Sequence, residues 1–357
     1  MENDLIASWL FEDAAYLPDF RSVLDGLIER LRAGWLPLVR ISFGVGMHHY
    51  EMLAAIYAWE LGDLTVDRSG VPHGVETTEM YLNSPFRLLE IGPPVVLRRL
   101  AGPEAEIDYP ILQGIRDSGA ADYLAMALQR SDGDANRCSF SIDQPEGFSE
   151  DELAILAALR PYIGVITELQ SRARMTRSLL NLYLGPEAGA WVYSGQIKRG
   201  EGMAIRSVLW TSDLRGFAHL SEDEPLEWLT VALNDYFTAM IEPVNAEGGE
   251  VLKLIGDGVL RVFRIEHDFY VGGTCEAALN AAERALANMA LPNKHRGGEG
   301  KPVLDAGIAL HVGEAMYGNV GAQDRLDFAV IGPAVNLCAG LQALAGERRE
   351  PITCSAE

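Results

Sequence analysis

The sequence predicts an α+β fold in two successive modules, and three stretches carry that prediction. The first is Glu250 to Phe263, EVLKLIGDGVLRVF, in which apolar runs flank Gly256-Asp257-Gly258; an Asp-Gly pair between alternating hydrophobics is a strong hairpin signal. The second is the regular succession of strand-like and helix-like periods from Arg206 to His311, in the order β-α-β-β-α-β. The third is a long helical stripe, Leu153, Leu156, Leu159, Ile163 and Ile166, which closes a region of mixed helix and strand signals.

Taken in order, Leu24, Leu27, Ile28 and Leu31 mark an amphipathic helix, followed by a short apolar run from Trp35 to Phe43. Asp122 to Leu128 and Arg137 to Ile142 read as strands joined by the turn-forming Ser131-Asp132-Gly133-Asp134. Ser149, with Glu152 three residues on, forms a capping box that starts the long helix, whose stripe continues past Arg174 to Leu182. Leu184 to Gly202 is rich in glycine and polar residues and marks a boundary. Residues 1–170 are thus expected to form one module, 171–202 a helical linker and 203–357 a second module.

In the second module, Ser207 to Ser212 is a strand ending at Asp213. Ser221 and Glu224 make another capping box, ahead of a helix through Leu226, Leu229, Leu233, Tyr236, Phe237 and Met240. After the hairpin come a helix, Glu276 to Met289, and a strand, Val303 to His311. That order is a ferredoxin-like split unit, a mostly antiparallel sheet with helices on one face. Strand candidates at Glu314 to Val320 and Leu326 to Ile331 enlarge it. Within the hairpin, alternation places Val251, Lys253, Ile255 and Asp257 on one side, and Leu252 and Leu254 on the other.

At 357 residues, 48% hydrophobic and 22% charged, the chain has ordinary globular composition and length for two domains. Its formal net charge of -22 speaks against nucleic acid and anionic membranes as partners, since both need a basic footprint. There is no apolar run of about 18 residues, and MENDLIASWLF lacks the basic start of a signal peptide. A cytoplasmic protein is expected. Cys138, Cys275, Cys338 and Cys354 form no CxxC pair and are expected reduced and buried. Adjacent His48 and His49 would point apart in a strand, which argues against a metal site there. The loop Gly297 to Pro302 is not a phosphate-binding loop, because Pro302 stands where a hydroxyl is required.

In the split unit the first strand lies beside the hairpin, so Asp213 and Asp257 converge at one sheet end. Two close carboxylates repel unless a cation sits between them, and magnesium favours a few carboxylates together with substrate phosphates. The backbone N–H groups of Leu214, Arg215, Gly216 and Phe217, with a helix behind, suit a polyphosphate. The joint reading is a metal–nucleotide site.

Four stretches, SVLWTSDLRGFAHLS, GGEVLKLIGDGVLRVF, GIALHVGEAMYGNVG and RLDFAVIGPAVNL, resemble in order and spacing the catalytic domain of class III adenylate/guanylate cyclases, over about Arg206 to Leu344. The first module, with GFSEDELAILAALRPYI entering its terminal helix, resembles a GAF-type small-ligand sensor. The cyclase resemblance implies a homodimer with composite interfacial sites. It implies two Mg2+ or Mn2+ ions per site on Asp213 and Asp257, and in-line attack of the ribose 3'-hydroxyl on the α-phosphorus with release of pyrophosphate. It assigns adenine reading to Lys253, assisted from the position of Ala329, and ribose orientation from the partner chain to Asn336. Lys253 favours ATP, because guanylate cyclases usually carry an acidic residue there. The implied function is an adenylate cyclase controlled by a small-molecule or protein signal at its N-terminal module.

The chain also departs from that pattern. Family members carry an arginine one helical turn beyond the asparagine, at the position of Gly340, and usually Asp or Thr at Ala329. Loss of one transition-state donor costs about 10²- to 10³-fold in rate. The chain ends at Glu357, about where the family adds strands and a phosphate-binding lysine. The alternative reading is therefore a degenerate homologue that binds nucleotide and metal as a sensor or dimerisation module. A truncated form of an active enzyme is the third.

Overall fold

The computed structural model describes residues 2–356 apart from Trp35, His48 and Tyr50, and without the side chains of Glu2, Asn3 and Asp4. The start of the apolar run at Trp35 and one half of the His48–His49 pair therefore lie outside the described residues. The chain divides into two compact units, Met1–Leu179 and Leu180–Glu357. No helix among the described residues is long and apolar enough to cross a membrane.

The first unit opens with α1 (Glu2–Glu12) and α2 (Phe20–Gly34), followed by β1 (Leu38–Gly46), β2 (Met52–Glu60) and β3 (Asp67–Pro72). Short helices α3 (Glu79–Leu82) and α4 (Pro85–Ile91) lead to β4 (Val95–Arg99), α5 (Pro110–Asp117), β5 (Asp122–Gln129) and β6 (Ala135–Ile142). The 35-residue α6 (Glu150–Leu184) contains the division between the units. The strands form one antiparallel sheet in the order β3-β2-β1-β6-β5-β4. Alternation along β5 gives this sheet two cores: Leu124, Met126 and Leu128 enter one with α2 and α6, while Tyr123, Ala125 and Ala127 enter the other with Leu89 and Leu112. The capping box of α6 is formed. Ser149 N–H donates to the Glu152 carboxylate at 2.7 Å, and Glu152 N–H donates back to Ser149 Oγ at 3.3 Å.

The second unit continues with α7 (Pro186–Tyr193), β7 (Gly202–Leu214), α8 (Phe217–Asp223), α9 (Leu226–Ala246), β8 (Glu250–Ile255) and β9 (Gly258–Arg264). Then come α10 (Val271–Asn288), α11 (Ala290–Gly298), β10 (Ala306–Gly321), β11 (Leu326–Ile331), α12 (Pro333–Arg348) and β12 (Ile352–Cys354). Its sheet runs β11-β10-β7-β9-β8, antiparallel throughout, with β12 added parallel to β10. The expected β-α-β-β-α-β order is present from β7 to β10.

Several local expectations are corrected. Within the glycine-rich stretch after α6, where a helical linker is expected, the helix is short, α7, opened by Gly185 and Pro186. Ser221 caps nothing: it lies inside α8 and donates to the Ala218 carbonyl at 2.7 Å, and α9 begins only after Pro225, whose ring and missing N–H interrupt the helix. Helices cover both faces of the sheet rather than one. α9 and α10 pack on Val208, Trp210, Val259 and Phe263, whereas α7 and α12 pack on Leu209, Leu260, Val262 and Ala309. The strand candidates on either side of Gly313 are one sixteen-residue strand. Gly313 marks a close approach instead of a turn, since a Cβ there would come within 2.5 Å of Ala334 on α12. All four cysteines are free, but only Cys138 and Cys338 are buried, and Cys354 on the short edge strand β12 is exposed.

Candidate active site

β7 and β9 pair from Ser207↔Arg264 to Ser212↔Val259, so Asp213 emerges beside the tip of the β8–β9 hairpin. Gly256 takes φ +62° at that tip, a conformation costly for residues with a Cβ, and Asp257 follows it. The Leu214 N–H donates to Asp257 Oδ2 at 3.2 Å. Asp213 is open to solvent on one side, yet protein atoms crowd its carboxyl. That enclosure, and then the hydrogen bond and charge of Asp257, push it up to about 7. Two acids placed this way share a proton unless a cation replaces it. An all-oxygen pair is a donor set that suits a hard divalent ion such as magnesium or manganese. Among the described residues no group of three or more His, Cys, Asp or Glu converges as a closed metal cage.

A cleft of about 880 Å³ opens beside Asp213, a volume typical of small-ligand sites. One wall is the β7–α8 loop, Leu214, Arg215 and Gly216, and another is the hairpin at Ile255 and Gly258. The third is the stripe Ala339, Gln342, Ala343 and Gly346 of α12, with Arg349 just past its end. These helix positions recur at the three- and four-residue spacing of one face.

The loop amides are less free than expected. Leu214 N–H is held by Asp257 and Arg215 N–H by the Asp305 carbonyl at 2.8 Å, which leaves Gly216 and Phe217. The Phe217 ring packs against the core under α9 and α10. The Arg215 guanidinium is also committed: Nη1 meets the Asp305 carboxylate at 3.1 Å and Nη2 donates to the Glu350 carbonyl.

Lys253 is not among the residues that line this cleft. It pairs with Asp327 of β11, two residues from Ala329. The expected alternation fails just before it, because a bulge separates Val251, opposite Arg261, from Lys253, opposite Leu260. Val251 therefore packs with the α9–α10 core, while Leu252 and Lys253 both take the side of Leu260. Asn336 and Gly340 lie on the exposed face of α12 and neither lines the cleft; a Cβ built at Gly340 would meet nothing within 4 Å. A single chain thus gathers Asp213, Asp257, Leu214, Arg215 and Gly216, places Lys253 near Ala329, and leaves Asn336 apart. Sequence reasoning missed Asp327, which strand period two would have placed on the face of Ala329, and Arg349, which no local pattern marks.

Two further charged groups shape the domain. Glu250 accepts the Glu187 N–H at 3.3 Å and the Tyr317 hydroxyl at 3.3 Å, and Arg264 bridges it to the Glu187 carboxylate. Burial, and then Glu187, push Glu250 up to about 8. Arg261 is fully buried and stacks 4.1 Å from the Trp210 ring, and none of its three nitrogens has a hydrogen-bond acceptor.

Known proteins resemble this chain over part of its length. No family model matches the chain. An adenylate cyclase of Anabaena cylindrica is 34% identical over 155 residues, 42% of this chain and 29% of that one. An uncharacterised protein of Mycobacterium tuberculosis is 31% identical over 190 residues, 52% of this chain and 31% of that one. The chain spans about a third of the length of these curated relatives. Among solved structures, a bacterial light-regulated adenylyl cyclase is 25% identical, with 55% of this chain and 56% of that one covered and a TM-score of 0.46. The four motif stretches occupy β7, the β8–β9 hairpin, β10 and β11–α12 in order, and a curated adenylate cyclase aligns at 34% identity: the C-terminal unit is a class III adenylate/guanylate cyclase catalytic domain.

Proposed function

We propose that the protein is an adenylate cyclase that converts ATP to 3',5'-cyclic AMP and pyrophosphate at a homodimer interface, under control of a GAF-like N-terminal unit. The observation that carries this reading is the Asp213–Asp257 pair beside a cleft of substrate size. Those two carboxylates would hold two Mg2+ or Mn2+ ions, which when bound supply Lewis acidity at the ribose 3'-hydroxyl and neutralise phosphate charge. The protein's own part is positional and electrostatic. Asp257 fixes the loop through the Leu214 amide, and Arg215 braces the same loop against Asp305. Lys253, exchanging Asp327 for the base, donates to a ring nitrogen of adenine. Asn336 stands on an exposed face of α12 away from its own chain's cleft, which suits contact with the ribose in a partner's cleft. The six-stranded sheet of the first unit, closed by α6, supports the sensor reading.

Gly340 and Ala329 favour a second reading, a nucleotide-binding sensor or dimerisation module with little turnover. The test is cyclic-nucleotide production from ATP or GTP with manganese, using Asp257→Ala as a blank and Gly340→Arg as a restoration. Cyclic AMP that vanishes in Asp257→Ala supports the enzyme. No product from wild type or Gly340→Arg, with manganese-dependent ATP binding intact, establishes the sensor reading instead.

A further inference from the structure

The cleft beside Asp213 is lined by two cationic side chains, Arg215 and Arg349, and they are in different states. Arg215 is spent. Its two terminal nitrogens hold Asp305 and the Glu350 carbonyl, and its Nε is buried over Gly307. It works as a brace between the β7–α8 loop and the turn after α12, and that turn carries Arg349 next to Glu350. Arg349 is exposed and makes no ion pair or side-chain hydrogen bond among the described residues, in a chain of net charge -22. An arginine left without a carboxylate amid such an excess of acids, on the rim of a cleft with Asp213 in its wall, is available to an anionic ligand.

The backbone points the same way. Arg349 has φ 57°, and it is the one non-glycine residue with positive φ among those described. Helix ends commonly use glycine in this conformation because it has no Cβ to clash. Here the left-handed turn carries an arginine past the end of α12 onto the cleft rim.

We infer that Arg349 binds the terminal phosphates of the nucleotide in its own chain's cleft, and so supplies in cis a positive charge that α12 lacks at Gly340. The cleft is then bipolar. Asp213 and Asp257 take the metal-chelated side of an oligophosphate, and the planar guanidinium takes its free oxygens, for which two parallel N–H donors are the matching geometry. Lys253 lies outside this cleft, which leaves the volume to phosphates rather than to the base. The inference deepens the cyclase reading and rests on it for the nucleotide, but the oligophosphate site has its own test.

That test is calorimetric titration of the full chain with inorganic tripolyphosphate in the presence of manganese, comparing wild type with Arg349→Asn and Arg349→Lys. Asparagine tolerates the left-handed conformation, so the turn survives loss of the charge, and an unchanged unfolding midpoint confirms it. Loss of a charge-assisted contact predicts binding weaker by about tenfold or more in Arg349→Asn. Arg349→Lys should recover part of that loss, KM for ATP should rise with tripolyphosphate Kd, and adenosine binding should be unaffected. Tripolyphosphate binding by Arg349→Asn within about twofold of wild type overturns the inference, as does absence of binding by wild type. Failure of the cyclase reading would look different: no cyclic AMP from wild type or Gly340→Arg, with tripolyphosphate binding still dependent on Arg349.

Discussion

Arg261 lies mid-strand in β9 with no solvent exposure and no acceptor for its guanidinium, stacked on Trp210. Burial drags its pKa far below the ordinary guanidinium value, down to about 9. At about 1.4 kcal/mol per pH unit, the charged form is disfavoured in the fold by roughly 5 kcal/mol. Desolvated stacking on an indole returns about 2 kcal/mol. The remainder is about 3 kcal/mol of destabilisation, and methionine fills a similar unbranched volume without charge. Arg261→Met is therefore expected to stabilise the second unit by about 2–3 kcal/mol. In a domain of this size each kcal/mol moves the unfolding midpoint by about 2–4 °C, so calorimetry of the full chain should show that unit's transition raised by roughly 5–10 °C. The pH dependence has a definite sign. A cation whose folded pKa is depressed binds fewer protons folded than unfolded, so wild-type stability rises as pH climbs above about 9 while the variant lacks that rise. The advantage of Arg261→Met is full at neutral pH and narrows above pH 9. A lowered midpoint in the variant would refute the reasoning, because it would mean the guanidinium is already satisfied.

Manganese binding at Asp213 and Asp257 needs both carboxylates ionised. With Asp213 pushed up to about 7 by its enclosure and by Asp257, affinity should rise about tenfold per pH unit below 7 and level off above it; a flat profile in an electron-paramagnetic-resonance titration would count against the pair as ligands. Glu250 is raised to about 8 by burial and Glu187, so the fold binds its proton more tightly than the unfolded chain does, and stability declines as pH rises from the ordinary carboxylate range through about 8. Glu250→Gln keeps an acceptor for the Tyr317 hydroxyl and removes that decline. Its gain in unfolding midpoint should be larger at pH 8 than well below it, and equal gains at both would contradict the assignment.

What could be read from sequence was local. The hairpin rests on the Asp-Gly turn, and the meeting of Asp213 with Asp257 follows once β7 lies beside β9. What escaped depends on packing or distance. Strict alternation cannot foresee the bulge before Lys253, because the extra residue, Leu252, is placed by the core that α7 builds around Trp191. The Ser221–Glu224 box satisfied a spacing rule, but Pro225 one residue later decides where helix can continue. Lys253 and Asp327 are 74 residues apart in sequence and meet only in the folded domain. Arg349 escaped because left-handed helix ends are usually signalled by glycine, and the nearby glycine, Gly346, is still inside the helix.

The open space around Gly340 has a consequence for how this domain changes over generations. No neighbour approaches its missing side chain, so packing does not require glycine. Within a helix glycine costs about 0.8–1 kcal/mol relative to alanine, and arginine is among the better helix formers. Stability therefore favours leaving glycine rather than keeping it. Within the chain, glycine and a longer side chain at this position are separated by one substitution that meets no neighbour and gains helix propensity, so the position can change without rebuilding the domain around it.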